Sequence, residues 1–279
     1  MSRQRVTVVI AAYNVGPYVA ETVKSALGQT HADREIIIVD DGSTDDTADR
    51  LAPYLSQVRL VRQEHAGLAA ARNHALRLAA GDYIALLDAD DIWTPTKLAV
   101  QVEIAARRPR CGMVVCDGYE FDGAAVLQTN LFQPYLLDML QATADGEVAG
   151  PVHEPMIHWP MIACPGQTLI PRAVIDRLGW FVDGGAQDYE YFLRIAQRYP
   201  IVFHRHVLTG WRYRRDSMSG LRRMRVLTWV LYMLPVLGAH AARCETESDR
   251  ELVTRAIERH TREIVEAVTL MSTIGGQQQ

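Results

Sequence analysis

The 279-residue sequence predicts an α/β protein built on a Rossmann-like, mainly parallel sheet flanked by helices. Three observations carry that prediction. Short β-branched runs recur through the first half, helix-spaced segments lie between most of them, and acidic clusters stand where two of the runs end. A strand buried on both faces reads as a continuous apolar run, and strands alternating with helices imply right-handed crossovers into a parallel sheet.

The strands are expected at 6–10, 35–39, 58–62, 83–87 and 113–116. Between them, 18–28 carries Val19, Val23, Ala26 and Leu27 at helical spacing. Ser43-Thr44-Asp45-Asp46 resembles a capping box, with Ser43 or Thr44 able to accept a free N–H, and opens a helix over 47–55. The alanine-rich segment 66–80 stops at Gly81, a candidate C′ residue, and Thr94-Pro95 starts a helix that ends before Pro109. Periodicity fades over 121–165, which reads as loops or an insertion. Helical signals return at 172–178 and 188–198, run from about 222 to 272, and give way to a frayed tail.

Composition narrows the class. Hydrophobic residues are 48% and charged residues 22%, ordinary for a folded chain. The 29 Lys and Arg against 33 Asp and Glu give a net charge of −4, so no basic face for a nucleic acid is expected. Cys111, Cys116, Cys164 and Cys244 form no C-x-x-C pair and no zinc spacing, which points to reduced thiols in a cytoplasmic protein. The apolar run at 6–12 reads as a strand and not as a signal peptide. The stretch 226–239 is broken by Pro235 and falls short of the ~20 residues a bilayer span needs, so no membrane span is expected.

Ligands of open α/β sheets bind beyond the carboxyl ends of the strands. There the second run leads into Asp40-Asp41-Gly42-Ser43 and the fourth into Asp88-Ala89-Asp90-Asp91. On an extended chain Asp88 and Asp90 share a face and Asp91 turns away. Carboxylates at close range repel, so the cluster calls for a cation. Hard oxygen donors suit Mg²⁺ or Mn²⁺, with coordination positions left for a diphosphate. Asp40 and Asp91 serve equally as turn or cap residues, whereas Asp41, Asp88 and Asp90 together favour a ligand. The first turn, Ala11-Ala12-Tyr13-Asn14-Val15-Gly16, lacks G-x-G-x-x-G and no P-loop is present. It offers an aromatic ring and an amide, suited to a nucleobase.

Four blocks in order, Val8-Val9-Ile10-Ala11-Ala12-Tyr13-Asn14, Ile37-Ile38-Val39-Asp40-Asp41-Gly42-Ser43-Thr44-Asp45, Gly67-Leu68-Ala69-Ala70-Ala71-Arg72-Asn73 and Asp88-Ala89-Asp90-Asp91-Ile92-Trp93, resemble the GT-A family 2 glycosyltransferases over roughly the first 110 residues. The resemblance implies an inverting, metal-dependent hexosyltransferase with a nucleotide-diphosphate sugar donor, most often UDP-linked. It puts Ala11, Tyr13, Asp41, Arg72, Asp88 and Ala89 around that donor, with Tyr13 and Asp41 at the base and Asp88 at the ribose or sugar. Asp90, ending the D-x-D motif, would hold Mn²⁺ or Mg²⁺. Gln187-Asp188-Tyr189-Glu190 resembles the block that supplies the family's catalytic base, here Asp188. Left open are a helix-cap role for Asp188, a solvated helix face for Arg72 and a packing role for Tyr13.

Three departures stand out: Ala11 where Pro is common, Gln187 where Glu is common, and Tyr213-Arg214-Arg215-Asp216 where a His usually follows the Tyr-Arg pair. Asp216 could replace that His, Arg214 or Arg215 could bind phosphate, and the following Ser217-Met218-Ser219-Gly220 suggests a loop closing over the donor. His204-x-His206 could present two imidazoles on one strand face, with no third metal ligand in sight. Trp159, Trp180 and Trp211 are core residues or sugar platforms.

The implied division is a catalytic domain at 1–220, with a donor half at 1–110 and an acceptor half at 111–220, then a helical extension at 221–272 and a tail at 273–279. Partners would be the donor and a saccharide, lipid-linked or small-molecule acceptor. Peripheral contact with the inner membrane face and a homodimer through the C-terminal helices stay open. The rivals are a nucleotide-sugar-binding homologue without transfer activity and a nucleotidyltransferase; against the latter, the first loop lacks glycines and lysine.

Overall fold

The structure is a computed structural model that describes residues 4–159, 161–184, 186–214 and 227–275. Its first half alternates β1 (Val6–Ala12), α1 (Gly16–Leu27), β2 (Arg34–Asp40), α2 (Thr47–Leu51), β3 (Arg59–Arg62), α3 (Leu68–Leu78), β4 (Tyr83–Leu86), the two-residue β5 (Ile92–Trp93) and α4 (Lys97–Arg107). The second half runs β6 (Met113–Asp122), β7 (Ala125–Gln128), α5 (Pro134–Gln141), β8 (Glu147–Gly150), α6 (His153–His158), β9 (Thr168–Pro171), α7 (Arg172–Leu178), α8 (Gln187–Arg198), β10 (Ile201–Arg212), α9 (Leu227–Ala241) and α10 (Glu247–Gly275).

The strands form one sheet in the order β3-β2-β1-β4-β9-β6-β10-β5, with β7 added to β6 and β8 to β10. Neighbours from β3 to β4 are parallel, as are β6 and β10. Between these blocks β9 runs antiparallel to both β4 and β6. The mainly parallel α/β architecture expected from the sequence is therefore present, with β9 reversed at its centre and β5, β7 and β8 antiparallel to their partners β10 and β6.

Alternation along the strands explains why the runs are apolar throughout. Ile37 and Val39 of β2 enter one core while Ile36 and Ile38 enter the other, and β1 divides Val9 from Val8 and Ile10 in the same way. One core is closed by α1 and α4 through Val19, Val23, Leu98 and Val102. The other is closed by α3 and α8 and also takes Met233, Val236, Leu237, Val253 and Ala256 of α9 and α10. The C-terminal helices thus share the core of the sheet. Lys97 ties α4 to the reversed strand: its fully buried Nζ donates to the Thr168 carbonyl at 2.9 Å and lies 4.0 Å from the Trp93 ring centre.

Several local expectations change. Ser43 and Thr44 do not cap α2; the Asp45 carboxylate accepts the Thr47 N–H at 3.0 Å, while Ser43 Oγ accepts the Asn14 N–H at 3.0 Å. Gly81 is not the C′ residue of α3, which ends at Leu78. It lies where a Cβ would meet the Thr7 nitrogen at 2.5 Å. The region 121–165 is not mainly loop, because β7, α5, β8 and α6 fall within it. The rings of His204 and His206 lie 5.6 Å apart beside a bulge between His204 and Val207, with His204 buried and His206 exposed. No helix among the described residues is long and apolar enough to cross a membrane, and all four cysteines are free and buried. The proposed closing loop, with Arg215 and Asp216, lies outside the described residues, as does the side chain of Trp229.

Candidate active site

A cleft of about 310 Å³ opens beyond the carboxyl ends of β1, β2 and β4. Ala11, Tyr13, Asp41, Arg72, Asp88, Ala89, Asp90 and Asp188, the residues singled out from the sequence, all line it. The opposite wall comes from Ala163, Cys164 and Pro165 ahead of β9 and from Trp211 and Arg212 of β10.

Asp41 is built into the floor. One carboxylate oxygen accepts Gln63 Nε2 at 2.7 Å and the Ala66 N–H at 2.9 Å, while the other accepts the Gly67 N–H at 2.9 Å and lies 2.9 Å from His65 Nδ1. The carboxylate therefore shapes the 63–67 loop, and that loop carries a ring into the site. His65 stacks on Tyr13 with centroids 4.1 Å apart and planes 21° apart. Gly42 makes this approach possible: its φ is 77°, and a Cβ there would meet the His65 nitrogen at 2.9 Å. Tyr13 is 43% exposed, so it is a cleft aromatic and not a packing residue. His65 escaped the sequence analysis because nothing about an isolated histidine announces a stacking partner fifty residues earlier.

Arg72 is buried, which removes the solvated-face alternative. Its Nη2 donates to Asp88 Oδ1 at 2.7 Å, its Nη1 has no partner, and its guanidinium lies 5.5 Å from the Phe181 ring centre. Burial pushes the Asp88 carboxyl above its ordinary value against the pull of Arg72, and Asp90 and Asp188 push in the same direction as burial. Asp88, Asp90 and Asp188 thus form one electrostatic group although the chain separates them widely.

Asp90 faces the cleft with Oδ2 accepting Arg214 Nη1 at 3.0 Å, and its carbonyl accepts Arg212 Nε at 2.7 Å. Asp91 turns away from the cleft and its buried Oδ1 accepts the Arg212 N–H at 2.8 Å; the cause is a turn and not the extended geometry expected from the sequence, since β4 ends at Leu86 and the Asp91 N–H donates to the Asp88 carbonyl at 3.0 Å. Asp40 also turns inward and accepts the Ser43 N–H at 2.9 Å, the bond of a turn residue.

Asp188 occupies the first turn of α8, which follows Ala186 in the left-handed region at φ 51°. Its Oδ1 accepts the Tyr189 N–H at 2.8 Å. The other oxygen makes no hydrogen bond among the described residues and is available to the cleft. Tyr189 in turn anchors the helix start by donating to the carbonyls of Met156 and Trp159. Trp159 and Trp180 are exposed at 53% and 47%, flanked by Arg259 and Arg77, and neither lines the cleft.

The described residues contain no group of three or more His, Cys, Asp or Glu able to hold a metal ion unaided. What they offer is one hard carboxylate, Asp90, facing an open cleft beside Asp88. That set fits a divalent cation that draws the rest of its shell from a diphosphate ligand.

Comparison with known proteins identifies the family and the fold. The family model described as Glycosyl transferase family 2 matches residues 7–151. The UDP-Glc:alpha-D-GlcNAc-diphosphoundecaprenol beta-1,3-glucosyltransferase WfaP of Escherichia coli is 46% identical over 99 residues, 35% of this chain and 39% of that protein. Matches to the first curated relatives span 32–42% of those proteins' lengths. Among solved structures, Staphylococcus aureus TarS 1–349 in complex with UDP-GlcNAc superposes with a TM-score of 0.68 at 17% identity, covering 92% of this chain and 72% of that one. The mannosyltransferase PcManGT of Pyrobaculum calidifontis, in complex with GDP-Man and Mn²⁺, gives 0.64 at 21% identity, covering 99% and 80%. These structural likenesses establish the shared GT-A fold.

Proposed function

Because the chain belongs to glycosyl transferase family 2, we propose that it moves a sugar from a UDP-sugar to a hydroxyl of a lipid-linked saccharide, inverting the anomeric carbon. The observation that carries this reading is the convergence of Tyr13, Asp41, Arg72, Asp88, Asp90 and Asp188 on one cleft. The donor assignment draws support from the UDP-Glc in the name of WfaP and the UDP-GlcNAc bound to TarS. The diphosphoundecaprenol acceptor named for WfaP supports the lipid-linked acceptor.

The exposed Tyr13 ring, backed by His65, offers a stacking surface for the base. Arg72 holds Asp88 toward the ribose or sugar and offsets part of the negative charge gathered in the cleft. The free oxygen of Asp188 takes the proton of the acceptor hydroxyl as that oxygen attacks the anomeric carbon opposite the diphosphate. One in-line displacement inverts the configuration. A divalent cation held by Asp90, Mn²⁺ or Mg²⁺, would neutralise charge developing on the leaving diphosphate. The Mn²⁺ complex of PcManGT supports that choice. On this reading residues 1–110 serve the donor, and 111–220 serve the acceptor and supply the base.

Asp188→Asn tests the proton-transfer step. The variant keeps the Tyr189 contact and loses the base, so transfer should fall by about 10²–10⁴-fold while UDP binding stays at the wild-type level. Transfer at the wild-type rate, followed as UDP release with a lipid-diphosphate GlcNAc acceptor, would remove Asp188 from the mechanism.

A further inference from the structure

Asn73 ends the third sequence block, one residue past Arg72, and does not line the cleft. Its side-chain amide clamps the backbone of Phe181: Nδ2 donates to the Phe181 carbonyl at 2.8 Å and Oδ1 accepts the Phe181 N–H at 2.9 Å. Two bonds to one residue fix its direction as well as its position. The clamped ring is buried between two functional helices. The Arg72 guanidinium of α3 lies 5.5 Å from its centre, and the Tyr191 ring of α8 stacks on it with centroids 4.4 Å apart and planes 29° apart. Tyr191 stands about one helical turn after Asp188. Its hydroxyl donates to the Gly179 carbonyl at 2.9 Å, and Arg194 donates to the carbonyls of Leu178 at 3.0 Å and Trp180 at 2.8 Å. Residues 178–181 are thus held by α8 at three carbonyls and by α3 at Phe181, so they join the helix that carries Arg72 to the helix that carries Asp188.

We propose that Asn73, Phe181 and Tyr191 form a strut that sets Asp188 against the donor side of the cleft, which makes Asn73 a positioning residue for proton transfer. The proposal rests on the assignment of Asp188 as the base. Other anchors at the start of α8 come from the acceptor half and beyond it: Tyr189 donates to the carbonyls of Met156 and Trp159, and Glu190 pairs with Arg243. Those contacts hold Asp188 to α6 and to the end of α9. The strut ties it to α3, and through Arg72 to Asp88. A base must stand within hydrogen-bond reach of the proton it takes, and a misplacement of about 1 Å can cost ~10²-fold in rate. Arg72 keeps its bond to Asp88 when the clamp is lost, so donor binding changes far less than the geometry of transfer.

The test is a double-mutant cycle on the full chain, with transfer followed as UDP release from UDP-glucose in the presence of a lipid-diphosphate GlcNAc acceptor, and UDP binding read by calorimetry. Asn73→Ala should lower kcat by about 10–100-fold while UDP affinity stays within about two-fold. In the Asp188→Asn background the same substitution should change the residual rate by less than about two-fold, because no base is left to misplace. Loss of folded protein would lower the rate equally in both backgrounds, so an equal fall in both overturns the strut. A wild-type rate in Asn73→Ala, or a UDP affinity that falls in step with the rate, overturns it as well. Tyr191→Phe keeps the ring against Phe181 and loses only the bond to Gly179. It replaces Asn73→Ala in the cycle if that variant folds poorly, and should show a smaller loss that again vanishes in the Asp188→Asn background; a loss that persists there overturns the strut. A wild type that transfers no glucose, or Asp188→Asn at the wild-type rate, overturns the reading beneath the proposal and the proposal with it.

Discussion

Asp41 shows how one side chain determines a surface. Its two oxygens take contacts from Gln63, His65, Ala66 and Gly67, so the loop that stacks His65 on Tyr13 is organised by a single buried carboxylate. Removing it takes the acceptor from the part-buried N–H groups of Ala66 and Gly67, each bond contributing about 0.5–1.5 kcal/mol. Asp41→Ala is accordingly expected to lower unfolding free energy by about 1–3 kcal/mol in urea denaturation and to weaken UDP binding in parallel. Wild-type stability in that variant would mean that the loop holds its shape by other contacts. The identity of Asp41 as a cleft residue was legible from its place after an apolar run. Its saturation by the 63–67 loop was not, because those partners lie on a neighbouring strand end and are brought in by a turn that only Gly42, at φ 77°, permits. Arg212 stayed hidden for a related reason: its partners Glu21, Asp90 and Asp91 come from distant stretches, and no motif links them.

At the level of elements, the junction of α6, α8, α9 and α10 is held by a histidine pair. His153 Nε2 lies 2.8 Å from His240 Nε2, Asp249 accepts Gln197 Nε2 at 3.0 Å, and Asp249 stands 3.9 Å from His153 Nδ1. The first contact requires at least one of the two facing nitrogens to lack a proton. Burial, with His153 and Arg194 adding to it, lowers the His240 imidazole to about 4. The unfolded chain therefore binds more protons than the folded one between that value and the ordinary ~6.5, and stability carried by neutral His240 is lost as pH falls through this window. His240→Gln should remove this contribution. As pH is lowered from 6.5 to 4, wild type should lose denaturation midpoint relative to the variant, whereas parallel pH profiles would contradict the assignment. The sequence indicated helices in this region from their spacing, yet the histidine contact joins α6 to α9 across a long separation and left no local trace. The elements hardest to read were those in which tertiary pairing outweighs local pattern. β9 and β10 carry polar residues, and β9 pairs in reverse with two strands.

For the whole molecule, the apolar runs and their acidic ends revealed the architecture because both faces of β1, β2 and β4 are covered, so most of their residues are apolar until the ligand end is reached. That boundary is also the site. The chain folds so that the carboxyl ends of β1, β2 and β4 face the first turn of α8 across one cleft, bringing Asp188 into the electrostatic group of Asp88 and Asp90. The wall at 163–165 was unreadable in advance, since a Cys-Pro-Gly turn has no preference for any particular ligand. The central claim is that this cleft is a nucleotide-diphosphate sugar site whose cation is shared with the diphosphate. Calorimetric titration of the wild-type protein with UDP, GDP and dTDP, each with and without Mn²⁺, tests it most directly. UDP binding that requires or is strengthened by Mn²⁺, and is stronger than that of the other two nucleotides, is the predicted result; no heat of binding from any nucleotide under either condition would contradict the account.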